Sequence, residues 1–301
     1  NRYDYQRYHQ LFRANRVFGQ GSQALFASTS YRFATDTTVR VGARYEKDDI
    51  DYLWAYYSDP ATTKTLQNGI VLNFPAYGWP TTSAKHSDSY VNYDFGVQQK
   101  LGADAMIYFN YAYANQGPLY DAESTTERDR NSSVPLSPLP SEEVNSIEIG
   151  LKSEWLDNRL LLNVNVFDMK YDNYQALTNV TDTANPNAVP QLRTYAAGKV
   201  SSRGIEVTSS ALLTDHFRLD VAGMYNKAVI DEWFYAPCFA NQTAAEGCLN
   251  GLVPGEPVAR GYQRDISGNL LANAPKYKLT AIGTYSGNLG FNSAVSYDAS
   301  L

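Results

Sequence analysis

Residues 142–175 read EEVNSIEIGLKSEWLDNRLLLNVNVFDMKYDNYQ, and their alternation decides the fold. Ile147, Ile149, Leu151, Ser153 and Trp155 alternate with Ser146, Glu148, Gly150, Lys152 and Glu154. Past Asp157-Asn158 the alternation resumes, with Leu160, Leu162, Val164 and Val166 on one parity. A two-residue loop at Asp157-Asn158 predicts that Trp155 opposes Leu160, Leu151 opposes Val164 and Ile149 opposes Val166. Every apolar pair then falls on one face, and Lys152, Glu154, Asn163 and Asn165 fall on the other. Two strands of this length, with one greasy and one charged face, suit a membrane-spanning hairpin better than a soluble sandwich.

The same pattern recurs on both sides of this hairpin. Leu25, Ala27, Thr29, Tyr31 and Phe33 share a parity, Ala34-Thr35-Asp36 turns the chain, and Val39, Val41, Ala43 and Tyr45 follow. Val91, Tyr93, Phe95 and Val97 lead through Gly102-Ala103-Asp104 to Ile107, Phe109, Tyr111 and Tyr113. Ile205, Val207, Ser209 and Ala211 return after Thr214-Asp215 as Phe217, Leu219, Val221 and Tyr225. Tyr277, Leu279, Ala281 and Tyr285 turn at Gly287-Asn288 into Leu289, Phe291, Val295 and Tyr297. Residues 1–21 lack periodicity and are expected to form a loop. Long irregular connections are expected over about 53–86, 114–142 and 234–273, where X-Pro pairs and polar runs interrupt the alternation.

This makes about ten strands in five hairpins, with short links alternating with long ones. Membrane barrels show that asymmetry, with short periplasmic turns and long outer loops. Tyr31, Phe33, Trp155, Phe217 and Tyr285 lie near the short turns and would form a lower aromatic girdle. Tyr45, Tyr93, Tyr113 and Tyr225 would lie nearer an upper one. Tyrosine, 24 of 301 residues, suits such a boundary, because its ring can sit in acyl chains while its hydroxyl stays wet. The formal net charge of −6 argues against a nucleic-acid partner. No run approaches the twenty apolar residues of a spanning helix, which leaves a spanning barrel open.

In VRVGARYEKDD at 39–49, the 142–175 hairpin, AGKVSSRGIEV at 197–207, the loop PCFANQTAAEGC and DISGNLLANAPKYKL at 265–279, the chain resembles the barrel of TonB-dependent outer-membrane receptors of the iron-complex type. The resemblance implies an all-β fold, an antiparallel transmembrane β-barrel, of which these are about 10 consecutive strands out of about 22. Residues 1–301 are then expected to form part of one barrel domain, with the plug domain and final strands lying outside this sequence. It also implies a place in the bacterial outer membrane, and import of a scarce ligand such as a ferric siderophore, driven by TonB through the plug. The alternatives are a passive porin-like or structural surface barrel and a soluble all-β binding module.

Nothing in the sequence composes a catalytic site, and no enzyme activity or cofactor is expected. His9, His86 and His216 lie far apart without metal-ligand spacing and are expected in loops or at an interface. Cys238 and Cys248 lie in one long connection with no competing thiol, and a disulfide is expected between them on the outer side, worth roughly 2–3 kcal/mol by chain entropy. Trp54, Tyr56 and Tyr57, then Tyr77 and Trp79, then Trp233, Phe234 and Tyr235 cluster in or beside the long connections. They are the candidate ligand-binding residues, by stacking on a ligand at the mouth; packing of the loops on one another would account for the same rings.

Overall fold

A computed structural model describes residues 12–58, 63–65, 71–73, 82–117, 119, 138–180, 191–239, 242–250, 262–287 and 292–300. Its long strands are β1 (Phe12–Arg32), β2 (Thr37–Ser58), β5 (Thr82–Lys100), β6 (Ala105–Gln116), β7 (Glu142–Trp155), β8 (Leu160–Val180), β9 (Gln191–Leu212), β10 (Phe217–Glu232), β14 (Tyr277–Ser286) and β15 (Asn292–Ser300). Two short strands, β3 (Thr63–Thr65) and β4 (Val71–Asn73), pair with each other. Three more, β11 (Ala236–Pro237), β12 (Leu249–Asn250) and β13 (Tyr262–Arg264), form a small sheet of their own.

The ten long strands form one sheet in the order β1-β2-β5-β6-β7-β8-β9-β10-β14-β15, each beside the next long strand in the chain. Such a meander needs only hairpin links. The order is linear, and among the described residues no pairing joins β15 to β1.

The β7–β8 register is the one expected: Trp155 faces Leu160, Leu151 faces Val164 and Ile149 faces Val166. The turn has Asp157 at φ 54° and Asn158 at φ 65°, with the Arg159 N–H donating to the Leu156 carbonyl at 3.1 Å. Leu156 also has a positive φ, 58°, so three successive left-handed residues reverse the chain between Trp155 and Leu160. The short ends are also tied sideways. The Lys100 N–H donates to Asp36, Glu154 to Asp104, Leu212 to Arg159 and Ser286 to His216, at 2.8–3.3 Å.

Register carries one parity across the sheet. The row Ile107, Leu151, Val164, Val207, Gly223 and Leu279 runs through directly paired positions, as does Phe109, Ile149, Val166, Ile205, Tyr225 and Tyr277. Ile149 is 52% exposed, Val166 45% and Leu279 48%. The largest apolar surface thus faces out of the wall, the reverse of a water-soluble core, as a spanning β-sheet requires. Rings border it at both ends. Trp155 and Tyr285 lie by the short turns, and Tyr93 stacks on Tyr113 at 5.1 Å near the long connections. Tyr111 and Tyr113 donate their hydroxyls to Asn145 and Glu143, the first polar residues beyond the apolar rows.

Several expected loops are shorter than the sequence suggests. β1 begins at Phe12, so the expected loop over 1–21 is overturned for its second half. β2 runs to Ser58 and β5 starts at Thr82, which places Trp54, Tyr56 and Tyr57 in a strand and His86 in another. Backbone pairing continues past the segment in which alternation is needed, because a strand outside hydrocarbon still gains from its ladder.

By contact the chain divides into two compact units. One holds residues 1–23, 47–89 and 117–140; in it Ile50 is buried and the Lys85 ammonium lies 3.1 Å from Asp51. The other holds residues 24–46, 90–116 and 141–301 and contains the features described below.

Candidate functional site

The polar face of the wall is built by the residues between the apolar rows. The Tyr108 hydroxyl donates to Glu148, and its ring lies over Gly150, where any Cβ would strike it. The Lys152 ammonium sits 5.6 Å from the same ring's centroid. Across β8 and β9, Asn165 donates to Glu206 at 3.3 Å and Asn163 to Thr208 at 3.2 Å. Ser202 donates to Asn226 at 2.8 Å, Arg218 pairs with Asp220 at 2.9 Å, and Arg40 with Asp94 at 3.3 Å. These groups can hydrogen-bond whatever polar material fills the inner side. Their arrangement supplies no nucleophile–base pair, and among the described residues no group of three His, Cys, Asp or Glu could hold a metal ion. In the sequence the Tyr108–Gly150 contact is marked only by a large ring directly opposite a glycine on the polar parity.

At the long-connection end, residues 268–276 fold back on the wall rather than extending from it. The Asn226 N–H donates to Lys276, Leu271 to Ala228, Ile230 to Asn269 and Gly268 to Ile230, at 2.7–3.0 Å. β11 touches β8. Val200, Ala228, Ile230 and Ala236 are all buried there, although the first three share the parity of the polar face. A wet face thus ends in a small apolar cluster under the connection.

The disulfide Cys238–Cys248 ties this connection, with the two Cα atoms 5.9 Å apart. Between the cysteines, Ala244–Glu246 forms one 3-10 turn, preceded by the N-cap Thr243 and closed by Gly247 at φ 86°. The Glu246 carboxylate accepts from the Thr243 N–H at 2.8 Å and from its hydroxyl at 2.9 Å, which holds its pKa below the usual glutamate value. The Arg264 guanidinium stacks over Phe239 at 5.1 Å, bracing the loop against β13.

Of the eight candidate aromatics, Trp233, Phe234 and Tyr235 share one turn at the head of this connection. The backbone of Trp233 is clasped: its N–H donates to the Ser267 hydroxyl at 2.9 Å and its carbonyl accepts from Ile266 at 3.0 Å. Asp265 accepts from the Ser267 N–H at 2.8 Å, and the hydrogen bonds from Ser267 lower its pKa below the usual aspartate value. Phe234 is 53% exposed and its ring meets that of Tyr235 edge-on at 6.3 Å. Tyr77 and Trp79 lie outside the described residues, and Trp54, Tyr56 and Tyr57 lie on β2.

Residues 1–300 match the family described as TonB dependent receptor-like, beta-barrel. Among solved structures, the chain is similar to the ferric yersiniabactin uptake receptor FyuA from Yersinia pestis, at 13% identity and a TM-score of 0.61, covering 95% of this chain and 34% of that one. It is similar to the siderophore receptor PiuA from Acinetobacter baumannii at 18% identity and 0.58, over 96% and 34%. The ferric-catecholate import receptor Fiu from E. coli K12, in its closed form, matches at 18% identity and 0.57, over 95% and 35%. The chain spans about a third of the length of each.

Proposed function

The chain belongs to the TonB-dependent receptor β-barrel family, and on that premise we propose that it is part of the wall of a bacterial outer-membrane receptor that imports a scarce chelate, such as a ferric siderophore, with energy delivered through TonB. The family match over residues 1–300 carries this reading. The names of the similar structures, receptors for ferric yersiniabactin, ferric catecholates and siderophores, support the choice of cargo.

The wall geometry agrees with the role. A barrel of about 22 strands is wide enough to need a plug, and the hydrogen-bonding face along Tyr108, Asn163, Asn165 and Glu206 suits contact with a wet, filled lumen. The disulfide-tied connection holds Phe234 and Tyr235 at the end where a ligand would arrive. Trp54, Tyr56, Tyr57, Tyr77, Trp79, Trp233, Phe234 and Tyr235 are the rings that would stack on an aromatic chelate. The outer membrane carries no nucleotide pool, so release inward needs drive from the inner membrane. The test is the concentration dependence of uptake. Cells making the full-length protein should take up radiolabelled ferric chelate with saturation; uptake rising in proportion to concentration would favour a passive pore.

A further inference from the structure

Above its aromatic border, the apolar face passes directly into charge. Asp168, Arg203 and Lys227 stand abreast on β8, β9 and β10. One side-chain spacing toward the short turns, roughly 7 Å along each strand, stand Val166, Ile205 and Tyr225 on the same face. Lys276 joins them just before β14: its ammonium lies 5.8 Å from the ring centroid of Tyr225 and 5.5 Å from that of Tyr277. Lys170 stands one step beyond Asp168 on β8. All four cations are exposed. Arg203 commits its Nε to Asp168 at 3.0 Å, which leaves its two terminal nitrogens. Lys170, Lys227 and Lys276 form no ion pair among the described residues. The carboxylates of this patch are Asp168 and, a step farther, Asp172 with Glu143 beside it on β7, where Glu143 accepts from the Tyr113 hydroxyl; Lys199 is engaged by Glu232 at 3.4 Å.

We propose that Arg203, Lys227 and Lys276, flanked by Lys170, bind the phosphate of a lipid headgroup whose chains run down the apolar face beside Val166, Ile205 and Tyr225. This rests on the membrane-spanning reading given above. A guanidinium fork with two free terminal nitrogens beside two ammonium groups suits phosphate oxygens, and a neutral headgroup would leave the Lys227 and Lys276 ammonium groups without an ion-pair partner. The cations face the lipid side, so a ligand passing through the lumen cannot reach them. At so open a site a free phosphate ion is held weakly, whereas a lipid is kept there by its own buried chains.

The test uses the full-length protein in non-ionic detergent, with diphosphorylated lipid A or its dephosphorylated form as probe, and counts retained lipid by native mass spectrometry. The unmutated protein should hold the phosphorylated form roughly a hundredfold more tightly than the R203Q/K227Q/K276Q variant, about fivefold per charge. Inorganic phosphate at millimolar concentration should not displace it. Equal retention by the variant, equal retention of the dephosphorylated lipid, or displacement by inorganic phosphate would overturn the proposal. The comparison of the two lipids needs no variant, so it decides even if the triple substitution fails to fold. A protein that fractionates away from outer membranes would remove the membrane reading and this proposal together. One that stays there but treats the two lipids alike would remove this proposal alone.

Discussion

Arginine substitutions at Val164 and Asn163 should differ sharply although the residues are adjacent in β8. Val164 lies between Leu151 and Val207 on the apolar face, two pairs below Asp168 and two above Leu160 at the turn, so it sits at mid-depth. A guanidinium there faces hydrocarbon, at about 2–4 kcal/mol near the midplane. Asn163 points to the polar face, where its amide donates to Thr208 at 3.2 Å. No contact with hydrocarbon is at stake on that side; replacing Asn163 forfeits one hydrogen bond, about 1 kcal/mol, and sets the new charge between Lys152, directly opposite on β7, and Glu206, a step away on β9, on the wet face. The two costs should therefore differ by about 2 kcal/mol, near thirtyfold in the folded-to-unfolded ratio. Urea unfolding of the full-length protein in lipid vesicles reads the difference as a lower midpoint for Val164→Arg at unchanged slope. Equal midpoints for the two variants would refute the parity on which the wall is built.

Three further outcomes follow from local geometry. Gly204→Ala places a Cβ against the Tyr225 carbonyl and the Phe167 ring and should cost about 1–3 kcal/mol; Gly223→Ala meets only Leu279 at 3.8 Å and should unfold within about 0.5 kcal/mol of the parent in the same urea assay. Replacing both Cys238 and Cys248 by serine should speed protease cleavage between residues 239 and 247 up to about a hundredfold, the equivalent of about 3 kcal/mol of loop closure, while the barrel's unfolding midpoint stays in place. Because hydrogen bonds from Thr243 depress the Glu246 pKa, its contribution to the turn is present above the usual glutamate range and lost as pH falls through the lowered value; the Thr243 amide resonance should titrate with a midpoint below that of an ordinary glutamate, and Glu246→Gln should abolish the transition.

The register of β7 on β8 is legible in the sequence because two local signals agree: Asp157-Asn158 favours the turn, and the alternation on either side allows only one pairing that keeps apolar residues together. The start of β1 is not. Arg13, Asn15, Gly19 and Gly21 break the alternation, and that stretch is a strand because β2 pairs with it, which its own pattern does not reveal. The same holds for β2 past Leu53, where Trp54, Tyr56 and Tyr57 read as a loop. The cysteine bridge can be read from two thiols in one connection. The inward fold of that connection cannot, because Val200, Ala228, Ile230 and Ala236 meet only through the tertiary structure. Of the candidate aromatics, the cluster Trp233, Phe234 and Tyr235 is brought together by sequence adjacency alone, and the clasp by Asp265, Ile266 and Ser267 leaves no mark in the sequence beyond a short polar turn.

Energised import is the central claim, and uptake of a radiolabelled ferric chelate by cells making the full-length protein, with and without functional TonB, tests it most directly. Loss of TonB should abolish accumulation while binding of the chelate to the cell surface persists. Accumulation at the same rate in both strains would contradict it.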